Sequence, residues 1–200
     1  MINEIDNIGI IILAAGQSSR MGNPKQLLID RGDQSLIRRV CSLALTIGVK
    51  KTFVILGFRS KTISEEIADL NIDILNNEEW ENGISSSIRL GVEKIQKDQP
   101  EIEALIFLVC DQPYINKELI QSIIDQYHLT KKPIIASQYQ NITGTPALFD
   151  RSFFPQLMQL EGDRGAGKII KDHMDEVSLV SFEAGIFDID TKSDYELYLN

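Results

Sequence analysis

Apolar and polar residues alternate in blocks along the chain, and the blocks end at turn residues. Ile8–Leu13 is an unbroken apolar run of strand length, the pattern of a strand covered on both faces. Across residues 35–47 the apolar positions Leu36, Ile37, Val40, Leu43, Ala44 and Ile47 recur with the spacing of a helix face, and Gly48 stops it. The alternation then repeats, with a strand over 52–56, a helix over 60–70, a strand over 72–75 and a helix over 85–95. Ala104–Val109 is the most hydrophobic run and reads as a central strand, followed by a helix over 117–127. Strands over 134–137 and 144–149, helix or irregular chain over 153–160, a helix over 166–174, a strand over 177–182 and a helix over Lys192–Leu199 complete the pattern. Strands and helices in alternation predict an α/β domain with a mostly parallel sheet.

Composition narrows the function. With 200 residues, 43% of them hydrophobic, the chain fits one domain with a sizeable core. Lys and Arg number 20 against 29 Asp and Glu, a formal charge of −9. That balance argues against a broad nucleic-acid or anionic-membrane surface, so positive potential toward an anionic substrate must be local. Residues 1–6 lack the basic region of a signal peptide and no apolar run approaches a membrane span, so a cytoplasmic protein is expected. Cys41 lies in a helical pattern and Cys110 ends a strand, which suits buried small residues better than a disulfide. No Cys or His spacing suggests a metal site, and His128 and His173 fall at helix ends without catalytic partners.

The candidate chemistry begins where the first strand ends. Leu13, Ala14, Ala15, Gly16, Gln17, Ser18 and Ser19, then Arg20, Gly22 and Lys25, form a loop at the carboxyl end of a buried strand, where α/β folds hold ligands. Ala14, Ala15, Gly16 and Gly22 let backbone N–H groups approach phosphate oxygens, and Ser18 and Ser19 add hydroxyls. Arg20 supplies a planar fork of donors and Lys25 a movable point charge. A glycine turn with two surface cations would be the plainer reading, but glycines, hydroxyls and both cations crowd one short stretch.

A second element follows the central strand. Pro113 cannot continue a strand, so the chain turns just where Asp111 emerges beside the first loop. A carboxylate there would repel a triphosphate unless a cation intervened, and Mg²⁺ combines one or two carboxylates with phosphate oxygens. Capping of the next helix is the alternative for Asp111. Asp188 and Asp190 are two apart and in extended chain point the same way, with an Asp or Thr191 cap on the last helix as the alternative. Gly83, Ser85, Ser86 and Ser87 open a helix, where they can cap it or offer ligand contacts. The stretch from Gly162 to Lys168 almost spells a P-loop, but Ile169 replaces the hydroxyl and no strand precedes it, so that reading is rejected.

The first loop resembles the signature of the MobA-like nucleotidyltransferases, Leu-Ala-Ala-Gly-x-Ser-x-Arg-Met-Gly-x-x-Lys-x-Leu-Leu. Its Ala-Ala form, Asp111-Gln112-Pro113, a Gly-x-Pro-x-x-Phe segment over 144–149 and Gly162-Asp163-Arg164-Gly165-Ala166 most resemble the molybdenum cofactor cytidylyltransferases. The resemblance implies a three-layer Rossmann-like nucleotidyltransferase fold and a single domain over 1–200. It implies nucleotide contacts by residues 13–19, Gly22, Gly83, Ser85 and Ser86, with Trp80 anchoring its loop. Arg20 and Lys25 would be catalytic, and Asp111 and Asp190 would hold Mg²⁺. Arg164 and Lys168 would face a pterin phosphate, or else belong to a glycine turn entering a helix. The substrates implied are CTP and molybdopterin-bound molybdenum, with a molybdoenzyme or its maturation chaperone as partner. Thr145 stands where such cytidylyltransferases often have His, which leaves the acceptor and base preference open. Another nucleotidyltransferase acting on an isoprenoid precursor or sugar phosphate shares the first motif. An NAD(P)-dependent oxidoreductase on the same fold is disfavoured by the lack of GxGxxG after the first strand, and a non-catalytic cofactor carrier by the intact Arg20, Lys25, Asp111 and Asp190.

Overall fold

The computed structural model describes residues 7–200. Seven strands form one sheet: β1 (Ile8–Leu13), β2 (Lys51–Leu56), β3 (Asp73–Asn76), β4 (Ala104–Val109), β5 (Ile134–Tyr139), β6 (Ile142–Asp150) and β7 (Val177–Ser181). The order is β3-β2-β1-β4-β6-β5-β7. Every pairing is parallel except those of β6, which runs antiparallel to both β4 and β5. The helices are α1 (Leu36–Ile47), α2 (Ser60–Glu66), α3 (Ile84–Asp98), α4 (Lys117–Thr130), α5 (Phe154–Met158), α6 (Ala166–Asp172) and α7 (Lys192–Leu199).

Alternation of side chains along the central strands divides the core in two. Ile10, Ile12, Ile106 and Leu108 pack with Ile37 and Val40 of α1, Ile63 of α2 and Ile120 of α4 on one face. Ile11, Leu13, Leu105 and Phe107 pack with Ile88 and Val92 of α3, Phe154 of α5 and Ile170 of α6 on the other. The result is the three-layer, mostly parallel Rossmann-like architecture. Two elements differ from their sequence pattern. The helix expected over 60–70 ends at Glu66 as α2, and β3 is a largely exposed edge strand.

Strand order decides where a ligand can sit. Leu13 is in register with Val109, so β1 and β4 end side by side, while the chain leaves β1 for β2 on the opposite flank. This divergence opens a crevice at the carboxyl ends of β1 and β4.

The helix beyond that crevice is fixed by its cap. The Asn116 side chain accepts a hydrogen bond from the Leu119 N–H at 2.9 Å. Asn116→Ala is expected to lower unfolding stability by about 1 kcal/mol, measurable by urea titration, with an unchanged m-value. No helix among the described residues is long and apolar enough to cross a membrane.

Candidate active site

The loop after β1 is held in shape by its own polar groups. Ser18 takes a left-handed backbone conformation (φ 57°) and its carbonyl accepts the Met21 N–H at 2.9 Å. The Ser18 hydroxyl oxygen accepts the Lys25 N–H at 3.2 Å. Ser18 is thus engaged within the loop, and Gly22 (φ 75°) supplies the turn that brings Lys25 back beside β1.

The return places Lys25 between two carboxylates. Its ammonium donates to Asp111 Oδ2 at 2.5 Å and to Asp190 Oδ1 at 2.8 Å, with the side chain 16% exposed. Arg20 donates to the other Asp190 oxygen, Oδ2, at 2.8 Å, although its side chain is 68% exposed. Asp111 follows β4, whereas Asp190 arrives from the far end of the chain, in a segment docked by the Ile189 N–H on the Asp111 carbonyl at 2.9 Å. The two capping alternatives are resolved by other residues. Asn116 caps α4, and Thr191 with Asp194 forms the capping box of α7, leaving both Asp111 and Asp190 to the cations.

The charges respond to this arrangement. Burial opposes the Lys25 charge, but the attraction and hydrogen bonds of Asp111 and Asp190 outweigh it and raise its pKa. Burial also opposes ionisation of Asp190, yet Lys25 and Arg20 together hold that carboxyl below the usual range. Asp188 is on the other side of this balance: burial, then repulsion by Asp111, push it up to about 6. It makes no ion pair among the described residues, so there, of the two same-facing acids, Asp190 alone meets the cations. Burial also drives the thiols of Cys41 and Cys110 up to about 12, so neither is a nucleophile at neutral pH.

Beside this cluster lies a cavity of about 390 Å³. Leu13, Ala14, Ala15, Gly16, Gln17 and Lys25 line one part of it, Asp111 another, and Trp80, Gly83 and Ser87 the opposite wall. Ser18, Ser19, Arg20 and Gly22 are not among its lining residues. Ser85 and Ser86, expected at a nucleotide, also lie outside the lining. Ser86 donates to the Gly83 carbonyl and accepts from Asn77, and Ser85 is buried 3.5 Å from an Arg89 nitrogen. Ser87 reaches the cavity in their place, with its oxygen accepting from Asn77 Nδ2 at 2.9 Å. No serine side chain caps α3.

Trp80 anchors its loop, edge-on to Phe58 at 5.5 Å, and also lines the cavity. A Cβ on Gly57 would stand 2.6 Å from Trp80 Cβ and 2.9 Å from the Ala15 carbonyl, so the Trp80 loop and the first loop meet at a point only glycine can occupy. The turn at Gly162 closes one side of the site, since the Ser85 N–H donates to the Gly162 carbonyl at 3.2 Å and Asp163 lines the cavity. Arg164 and Lys168 are not at the Lys25 cluster. They border a second cavity of about 580 Å³ that shares Asp163 with the first, and Lys168 pairs with Asp172 at 2.5 Å.

Two gathered carboxylates suit a hexacoordinate cation that takes its remaining ligands from phosphate and water. No group of three or more potential metal-ligating side chains occurs among the described residues, so substrate oxygens would have to complete such a site. A cationic loop, paired acids and a crevice at the switch point together suit transfer of a phosphoryl-linked group.

Comparison with known proteins agrees. The chain is similar to the crystal structure of a homolog of Mycobacterium tuberculosis Rv0371c from Mycobacterium sp. strain JC1, at 28% identity and TM-score 0.82, covering 96% of this chain and 95% of that one. It is similar also to Rv0371c of M. tuberculosis H37Rv in complex with manganese, at 25% identity and TM-score 0.80, covering 96% and 98%. Among curated proteins it matches the bifunctional protein GlmU of Clostridioides difficile, 25% identical over 142 residues and 69% of this chain. The chain spans only 29% and 35% of the length of the two GlmU proteins it matches. The family described as MobA-like NTP transferase domain matches residues 10–177, which hold the signature loop, Asp111 and the Gly162 turn, and the chain belongs to that family.

Proposed function

We propose that the protein transfers CMP from CTP to the phosphate of a molybdopterin-type acceptor and releases pyrophosphate. The observation that carries this reading is Lys25, held between Asp111 and Asp190 at the mouth of a nucleotide-sized cavity. An acceptor phosphate oxygen attacks the α-phosphorus in line, forming a new P–O bond. The bond from the α-phosphorus to its bridging oxygen breaks, and pyrophosphate leaves with that electron pair. A phosphate nucleophile is already ionised, so the protein's task is alignment and charge neutralisation.

Each residue has a part in that task. Lys25 neutralises the α-phosphate and the incoming acceptor, and Arg20, mostly exposed beside it, meets the departing β- and γ-phosphates. Asp111 and Asp190 hold the two cations ready and are the pair that would hold Mg²⁺. When bound, that ion offsets charge on the phosphates. The manganese complex of the Rv0371c relative supports a divalent cation. The Ala14-Ala15 wording, Asp111-Gln112-Pro113 and the Gly162 turn support CTP and a pterin acceptor, whose product would pass to a molybdoenzyme or its chaperone.

A second reading, transfer to a sugar phosphate or isoprenoid precursor, shares the first motif and is favoured by Thr145. Thermal shift separates the branches, because a ligand of the native state raises the melting temperature. CTP with Mg²⁺ is expected to stabilise the protein more than GTP, ATP or NADPH. Stabilisation by NADPH alone would remove the transferase reading.

A further inference from the structure

Gln26 has the burial of a core residue and the side chain of a polar one. It is 1% exposed, and both hydrogens of its Nε2 are used: one goes to the Ala14 carbonyl at 2.8 Å, the other to the Gly16 carbonyl at 2.9 Å. Its Oε1 lies 3.5 Å from the Ser18 hydroxyl, which donates to it. One buried amide therefore spans the signature loop.

The consequence follows from peptide geometry. In a trans peptide the C=O and the next N–H point in opposite directions. Drawing the Ala14 and Gly16 carbonyls toward Gln26 turns the N–H groups of Ala15 and Gln17 away from it. The intervening Ala15 carbonyl is taken by the Phe58 N–H at 3.0 Å. Among the described residues the N–H groups of Ala15, Gly16 and Gln17 have no hydrogen-bond acceptor in the protein, and all three residues line the main cavity. Every carbonyl of this short run is tied down and every amide following one is left free. Such a run of free donors is an anion cradle.

We infer that Gln26 is a positioning residue that orients the backbone amides of Ala15 and Gln17 to receive acceptor atoms of the nucleotide. This rests on the nucleotidyl-transfer reading above and adds a residue to it. Gln26 borders the same cavity, but its amide is spent on the loop, so its effect passes through the loop backbone.

The test compares the wild-type protein with Gln26→Met, which keeps the length of the side chain and removes both donors. Calorimetric titration with CTP and Mg²⁺ is expected to show binding weakened about tenfold or more, as the loss of two backbone-orienting hydrogen bonds implies. In turnover the KM for CTP rises while that for the acceptor stays the same, a split that a general loss of stability would not produce. The ¹⁵N–¹H signals of residues 15–17 in the wild-type protein are expected to shift on CTP addition, which tests the receiving amides even if the variant fails to fold. Equal CTP affinity in the two proteins, or unmoved signals of residues 15–17 in wild-type protein that binds CTP, would overturn the inference alone. A wild-type protein that binds no nucleoside triphosphate would overturn the parent reading with it.

Discussion

Lys25→Met is expected to lower kcat by about 100-fold or more, as removal of one preorganised charge from a transition state does. The ammonium pairs with both carboxylates, and its mostly buried position gives it little competition from water. The variant should also reveal what Lys25 does at rest. Without it Asp111 and Asp190 lose the cation between them, and the ligand-free variant is expected to melt below the wild type. Added Mg²⁺ should then raise the melting temperature of the variant more than that of the wild type, because the carboxylate oxygens no longer have an ammonium to displace. A variant with wild-type turnover would remove Lys25 from the chemistry.

Gly83→Ala is expected to be the most damaging single-methyl change, costing about 3 kcal/mol or more from backbone strain and overpacking together. Gly83 has φ 88° and ψ 175°, a region that residues with a Cβ avoid. An added Cβ would also stand 2.4 Å from the carbonyl carbon and oxygen of Gly162. The Asp163 carboxylate, 2.7 Å from that Cβ, could swing aside, but the Gly162 backbone cannot, so the Gly162 turn must move off α3. That turn carries Asp163 to the cavity wall, so CTP affinity should fall along with stability. Urea unfolding and calorimetry on the same preparation check both effects, and a change below about 1 kcal/mol would mean the contact is looser than described.

Much of this was readable in the sequence because it is local. The apolar run of β1, the loop after it and the turn forced by Pro113 place Arg20, Lys25 and Asp111 from neighbouring residues alone. Asp190 was harder, since its ion pair with Lys25 joins positions 165 residues apart; a motif suggested it, but nothing local excluded a cap until Thr191 proved to fill that role. Ser87 was passed over in favour of Ser85 and Ser86 for a different reason. Each helical residue turns the side chain by about 100°, and without the phase of α3 the sequence does not say which of three adjacent serines faces the cavity. Apolar alternation likewise carries no strand direction, so the antiparallel course of β6 could not be read from it. Nothing in the sequence singles out Gln26. Its meaning lies in burial against the Ala14 and Gly16 carbonyls, which depends on how the loop folds back.

The most direct test of nucleotidyl transfer is ³¹P NMR of the wild-type protein incubated with CTP, Mg²⁺ and molybdopterin-bound molybdenum. Consumption of CTP with matching growth of a pyrophosphate signal and a new phosphoric anhydride signal is expected. An unchanged CTP spectrum, with CTP bound, would overturn cytidylyl transfer to this acceptor, and an unchanged spectrum for every nucleoside triphosphate and acceptor class named above would overturn nucleotidyl transfer itself.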